Sequence, residues 1–318
     1  MNVHLYIQNG QTVYEPVVEG SISWETERKG QPGKCTFTLG PDSTLNIEEG
    51  NAVRLDVSSQ SVFFGFIFER SWGSEGLVKV TAYDQLRYLK NKDSYYYSNL
   101  TAGQVIQMIA GDFHLQTGGL ADTGQPLTRN EKDSTLFDII LNALDLTMIY
   151  TGKIYVLYDD VGKLVLRNVE DMKLDVTINE ETAQDYDYKV SIDSSTYNQI
   201  KLYYDNSDTK KRETYMARDS GNINKWGLLQ MNESIQKGVS GQTVAENYLK
   251  LYNQPSRSFT VKEAFGDVRV RAGCLIPVQM DIKDQKLNNY LIIESVRHKV
   301  DEGVHTMDLK LRGANING

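Results

Sequence analysis

Cysteine, proline, histidine and long apolar runs are all scarce in this chain of 318 residues, and each scarcity closes off a class of function. The two cysteines, Cys35 and Cys274, form no CxxC pair. That excludes a disulfide framework and a thiolate zinc site. Each sits in an alternating or apolar run and is expected to be a small buried hydrophobe. With 6 prolines and 25 glycines the chain is neither collagen-like nor low in complexity. The longest apolar stretch, Val62–Phe68, falls far short of the roughly 18 residues that cross a bilayer, so no membrane span is expected. Met1–Gly10 lacks a basic segment followed by an apolar one, so the expectation is no signal peptide and synthesis in a cytoplasm. Positive charge is also short. Against 34 Lys and Arg stand 42 Asp and Glu, giving a net charge of −8. Stable nucleic-acid binding is not expected, because phosphate contacts need a cationic surface. HExxH, GxSxG and P-loop motifs are absent as well.

What the chain does have is order in its periodicity. Through the first ninety residues apolar side chains alternate with period two, the mark of half-buried strands. Ile22 and Trp24 share a face, then Cys35, Phe37 and Leu39, then Val53, Leu55 and Val57, then Phe64, Phe66 and Phe68, then Val78, Val80 and Ala82. Gly- and Pro-containing turns, including Lys29–Gly33 and Gly73–Gly76, separate them. Asp84–Lys92 reads as a short helix or turn.

From about residue 93 the period changes. Thr101 followed by Gln104 predicts a capping box ahead of Val105, Ile106, Met108 and Ile109. A second helix is predicted from near Ser134, with Leu136, Ile139, Ile140, Ala143 and Leu144 on one face. A hairpin follows over Ile154–Leu166. Beyond 186 alternation returns in Ile200, Leu202 and Tyr204, in Phe259 and Val261, in Val268 and Val270, and in Met307, Leu309 and Leu311. A helix is predicted over Gly241–Leu251, and the basic run Lys210-Lys211-Arg212 after Asn206–Thr209 reads as a solvated hairpin tip.

Repeats carry more information than any motif. Gly50–Leu55 resembles Gly273–Val278 at an offset of 223, and Arg70–Val78 resembles Arg297–His305 at an offset of 227. The difference is four residues placed near Asp284–Asn289. In both copies a glycine opens an apolar strand, a polar turn leads to a second strand, and a Glu-Gly turn leads to a third. The order of elements predicts two related β modules in one chain. The fold class is therefore mainly β with an α+β insert: two related tube-like antiparallel β-barrel domains plus a small α+β domain. The expected boundaries are 1–92 for the first tube-like unit, 93–185 for the insert and 186–318 for the second unit, which is free to share strands with the first.

Candidate chemistry is thin. His298 and His305 face each other across a hairpin closing near Asp301-Glu302-Gly303, where two imidazoles and a carboxylate could hold a metal. No third ligand has a defined spacing, so a surface hairpin with two cross-strand histidines is expected instead. Asp159-Asp160 is explained by its turn, and Glu180-Glu181 by a solvated loop. The run Tyr95-Tyr96-Tyr97 fits either sugar stacking or a protein interface. The helix at 101–110 loosely resembles peptidoglycan-binding LysM modules through its threonine cap and an Ile-Ala pair. No catalytic, cofactor-binding or metal-binding residue is assigned, no cofactor is expected, and the chain is not expected to be an enzyme.

In the order of its elements the chain resembles the baseplate hub proteins of contractile phage tails and tail-like bacteriocins, of the XkdQ/YqbQ type. The resemblance covers most of the chain. It is carried by Gly50–Leu55 with Phe64–Ile67, by Val80–Leu86, Tyr197–Tyr204 and Trp226–Gln230, and by Glu294–His298 through Gly303–Met307. It implies a homotrimer in which six similar units match a six-fold tail tube on one side and a three-fold spike on the other. It also implies other baseplate and tail-tip partners, and a place in a virion or tail-like particle assembled in the bacterial cytoplasm. A negative lumen that repels passing DNA would fit the acidic balance. The alternative expectation is a cell-wall (peptidoglycan) binding module or hydrolase of the tail tip.

Overall fold

The computed structural model describes residues 1–73, 75–183, 185–193, 195–206, 209–235, 240–282 and 285–313. Ser74, Ser207, Asp208 and Asp284, which belong to turns noted above, lie outside the described residues. Strands in the first stretch are β1 (Val3–Asn9), β2 (Thr12–Tyr14), β3 (Ile22–Glu27), β4 (Lys34–Leu39), β5 (Ala52–Val57), β6 (Gln60–Trp72) and β7 (Val78–Tyr83). A 3-10 turn over Gln85–Lys90 leads to β8 (Lys92–Leu100), α1 (Ala102–Asp112), β9 (Thr117–Leu120) and β10 (Leu127–Thr135). Then come α2 (Leu136–Thr151), β11 (Tyr155–Asp159), β12 (Leu164–Asn168) and β13 (Asp185–Ser191). The remainder is β14 (Gln199–Asn206), β15 (Lys211–Arg218), α3 (Ser220–Trp226), β16 (Gln230–Ser234), α4 (Gly241–Tyr252), β17 (Ser256–Phe265), β18 (Leu275–Ile282), β19 (Gln285–Asp301) and β20 (Val304–Gly313).

The helices start and stop where the sequence signals fall. Gln104 accepts the Thr101 N–H at 2.9 Å, closing one half of the predicted capping box. At α2 the Thr135 hydroxyl accepts from the Asp138 N–H, and Gly152 ends the helix at φ 71°.

Among the described residues twelve strands form one sheet in the order β13-β17-β20-β19-β3-β4-β7-β6-β5-β1-β2, with β18 also paired to β19. Both ends of the chain thus contribute to the same antiparallel sheet, joined where Ser295–Val300 of β19 runs against Ile22–Glu27 of β3. One core lies under the first half, from Leu5 and Trp24 to Val80. A second lies under the last half, from Phe259 to Leu311, and also takes in Val156, Tyr158 and Val165 of the insert. The helices α1 and α2 have a core of their own with β8, β11 and β12. Residues 199–252 leave the large sheet: β15-β14-β16 form a separate sheet whose Ile200 and Leu202 pack with α4 and with Ile149 of α2.

The repeat is present in three dimensions, atom for atom at its hinge. The Gly50 N–H donates to the Ile67 carbonyl at 2.8 Å, and the Ile67 N–H donates to the Asn51 carbonyl at 2.9 Å. The Gly273 N–H donates to the Ile293 carbonyl at 2.8 Å, and the Ile293 N–H donates to the Cys274 carbonyl at 2.9 Å. Gly50 and Gly273 sit at φ 90° and 93°, backbone that a side chain disfavours. Each copy then carries a bulge, at Ile67/Glu69 in β6 and at Ile293/Ser295 in β19. This common geometry aligns Ile67 with Ile293 and Arg70 with Val296, one residue away from the alignment of Arg70 with Arg297 that the sequence gives. In a strand that single step exchanges the two faces, so Trp72 corresponds to His298 and not to Lys299.

Two further expectations are corrected. Phe64, Phe66 and Phe68 occupy the outer face of β6, while Phe63 and Ile67 enter the core. Phe66 packs edge-on with Tyr88 and Phe68 with Tyr83, while Phe64 packs edge-on with Phe66. Val268 and Val270 lie in the loop between β17 and β18, not in a strand. Val270 is buried in the core of the last half, and its carbonyl faces His298 Nε2.

Candidate functional site: the junction of the two halves

The junction is built by β3 and β19. In their antiparallel register His298 lies opposite Trp24, and the two rings stack at 4.6 Å between centroids with a 4° interplanar angle. The Arg28 guanidinium forks onto Glu294, Nε to Oε2 and Nη2 to Oε1, each at 2.8 Å. Glu294 is the residue extruded by the β19 bulge, so the same irregularity that marks the repeat also aims the carboxylate.

His298 and His305 do meet, Nδ1 to Nε2 at 3.0 Å. They are not on the surface: His298 is 1% and His305 7% exposed. The expected solvated hairpin is a core pair, because Trp24 covers it from the neighbouring strand. His298 Nε2 faces the Val270 carbonyl at 2.9 Å. A carbonyl only accepts, so His298 carries its proton on Nε2 and its Nδ1 accepts from His305. Burial lowers the His298 pKa to about 3, and burial lowers that of His305 as well. Both rings are neutral at pH 7. Among the described residues no group of three His, Cys, Asp or Glu could hold a metal ion.

A second buried polar cluster lies beside the junction. Asp159, assigned to a turn from sequence, does accept the Gly162 N–H at 2.7 Å. It is also 8% exposed and accepts from Gln85 Nε2 at 3.0 Å. Asp84 is equally buried and accepts from the Gly33 and Leu86 N–H groups at 2.9 and 3.0 Å. A Cβ at position 33 would collide with that carboxylate, so Gly33 is what lets β4 approach. Arg271 Nη2 donates to the Asp159 carbonyl at 2.8 Å, and its guanidinium lies 3.6 Å over the Tyr158 ring. Burial lifts Asp159 to about 6, burial and the Asp159 charge lift Asp84, and burial lowers Arg271. The cluster lines a cavity of about 290 Å³ with Asp84, Asp159, Arg271 and His298. It ties the first half, the insert and the last half together. Sequence reasoning missed Asp84, Gln85 and Arg271, and the only signal was Asp84 standing as N-cap at the end of β7.

The other candidates disperse. Tyr95 and Tyr97 turn inward, Tyr95 donating to Asp112 at 2.8 Å, and Tyr96 alone of the three is exposed. Alternation along β8 therefore divides the tyrosine run between two faces. Glu180 is exposed and accepts the Asp281 N–H at 2.8 Å. Arg212 forks onto Asp205 at 2.7 and 2.8 Å and stacks over Tyr203, a self-satisfied hairpin. Cys35 and Cys274 are both buried, with burial raising both thiols.

Over 313 residues the chain is 30% identical to the phage-like element PBSX protein XkdQ of Bacillus subtilis, covering 94% of this chain and 93% of that one. Its fold is similar to that of a tail protein from Neisseria meningitidis, with a TM-score of 0.73 at 12% identity over 99% of this chain and 98% of that one. The fold is also similar to the E. coli c3393 protein, with a TM-score of 0.58 at 11% identity over 99% of this chain and 78% of that one. That protein is described as a type VI secretion component with structural similarity to the T4 tail proteins gp27 and gp5. A sequence model of the YQBQ-like family matches residues 22–312, the whole span from β3 into β20, and to that family the chain belongs.

Proposed function

We propose that the chain is a structural hub of a phage or phage-like tail, acting as a homotrimeric adaptor between a six-fold tail tube and a three-fold spike. The carrying observation is the duplication: both halves repeat the same glycine, the same pair of hydrogen bonds and the same bulge. Three chains supply six such units, which matches a hexameric ring in number while keeping three-fold symmetry. A closed ring also leaves no sheet edge open to aggregation. XkdQ, as a phage-like element protein, and the secretion-system likeness to tail proteins support the same reading.

In this reading residues 1–92 and 186–318 hold the two tube-like units and 93–185 the peripheral insert. The partners are the tube protein, the spike and other baseplate and tail-tip proteins, within a particle assembled in the bacterial cytoplasm. The role is non-enzymatic, and the buried carboxylates Asp84 and Asp159 serve to lock the units together. No helix among the described residues is long and apolar enough to cross a membrane.

Light scattering and electron microscopy of the purified chain, alone and with its neighbouring tail proteins, test the proposal. A particle of three times 36.0 kDa that forms a ring is expected. A strictly monomeric protein with lytic activity overturns it.

A further inference from the structure

Within one chain β19 has β20 on one side; on the other it has β18 along its first part and β3 along its last. The matching strand β6 has β7 on one side and β5 along its first part, but among the described residues nothing pairs with that side of Glu69–Trp72. The strand that matches β3 is β13: β3 pairs with β4 as β13 pairs with β17, and β4 and β17 hold equivalent places beside β7 and β20. Among the described residues β13 is the end strand of the sheet. The molecule therefore carries one filled junction and both halves of an unfilled one.

Exposure points the same way. Through the pairings, Tyr186, Tyr188 and Val190 correspond to Ile22, Trp24 and Thr26 of β3. Ile22 and Trp24 are 6% and 4% exposed, whereas Tyr186 is 41% exposed and Tyr188 is half-buried beside Phe259. Trp72 corresponds to His298, and these two are 63% and 1% exposed. The positions buried as Ile22 and His298 at the internal junction are thus open as Tyr186 and Trp72 at these two edges.

We infer that β6 of one copy adds antiparallel to β13 of the next, continuing the sheet across the subunit boundary, with Trp72 opposite Tyr188 as His298 lies opposite Trp24. This rests on the trimeric reading above and gives it an interface. Transferring the β19–β3 register sets Glu69 opposite Ser191, Arg70 opposite Val190, Ser71 opposite Lys189 and Gly73 opposite Asp187. Backbone pairing supplies the bonds and the alternate side chains supply the register, as in other cases of strand addition. The Trp72–Tyr188 contact takes the place of the Trp24–His298 stack.

The test is oxidative cross-linking of a Trp72→Cys/Tyr188→Cys double variant, read on non-reducing gels beside light scattering. Covalent dimer and closed trimer are expected, with either single variant at least tenfold weaker. Trp72→Cys/Asp187→Cys, which is out of register by one and on the opposite face, is expected to be as weak as the singles. A trimer that does not cross-link, or that cross-links equally well in both pairings, overturns the register and leaves the hub reading standing. A monomer overturns both. Should the double variant fail to fold, amide exchange on the unaltered protein decides. Protection of 185–191 comparable to that of 22–27 supports the junction, and exchange typical of an open edge strand overturns it.

Discussion

The two halves of the sheet share a plan and differ in how it is finished. Around β3 and β19 the plan is closed: Trp24 stacks on His298, Arg28 forks onto Glu294, and the edge is covered. Around β6 and β13 the same plan is open, with Trp72 and Tyr186 in solvent. Identical backbone logic thus supports a core in one place and an accessible edge in the other. Two matched pairs record the difference: His298 and Ile22 are buried at the closed seam, where Trp72 and Tyr186 stand exposed at the open one. Large aromatics with a polar end suit a surface that is wet in one state and covered in the other.

The comparison is broken most severely at Trp24. Trp24→Ala should lower chain stability by about 3–5 kcal/mol in denaturant titration, as removal of a buried aromatic does. The exposed Trp72→Ala should leave stability within about 0.5 kcal/mol while abolishing assembly in light scattering. Equal losses of stability for the two would mean that the halves are not finished differently.

Acidity separates the two buried clusters next. Burial raises Asp159 to about 6 from its ordinary 3.8, so between about pH 4 and 6 the folded chain holds a proton that the unfolded chain releases. Stability attributable to Asp159 therefore falls as pH rises through that window, by on the order of 2–3 kcal/mol. Asp159→Asn should flatten that part of the profile. His298 works in the opposite sense: lowered to about 3 from 6.5, it is neutral when folded, and stability is lost as pH falls below about 6.5. His298→Gln should remove that loss, as read by denaturant midpoints across pH 4–7.

A smaller effect distinguishes the paired glycines. Alanine at either 50 or 273 meets left-handed backbone, at a cost of about 1–2 kcal/mol. At 273 the new methyl would also press on the Val156 side chain, whereas at 50 nothing lies within 4 Å. Thermal denaturation should rank Gly273→Ala as the more damaging. Least of all, Tyr96→Ala should stay within about 0.5 kcal/mol, since that ring is exposed.

The strands, the helices and the repeat were legible because period and punctuation are local properties. Thr101 with Gln104 marked α1, and the alternation of Cys35, Phe37 and Leu39 marked β4 and its inward face. The outward turn of Phe64, Phe66 and Phe68 was not legible. Tyr88 lies against Phe66 and Tyr83 against Phe68, and no local pattern distinguishes a covered face from a core one. The burial of His298 and His305 escaped for the same reason, since Trp24 lies far away in sequence. The repeat's alignment slipped by one because matching residue types favoured Arg70 with Arg297, while the bulge set the true correspondence. Asp84 and Arg271 carried almost no signal, for each becomes a site only through contacts made across the chain.

The duplication also bears on how assembly could be governed. Because β3 and β19 belong to one polypeptide, half of the junctions in the proposed ring would form at folding, with no dependence on dilution. Only the β6 and β13 edges would then answer to protein concentration or to a chaperoning partner. A cell could hold such subunits apart simply by capping one short strand, and release them to close all at once.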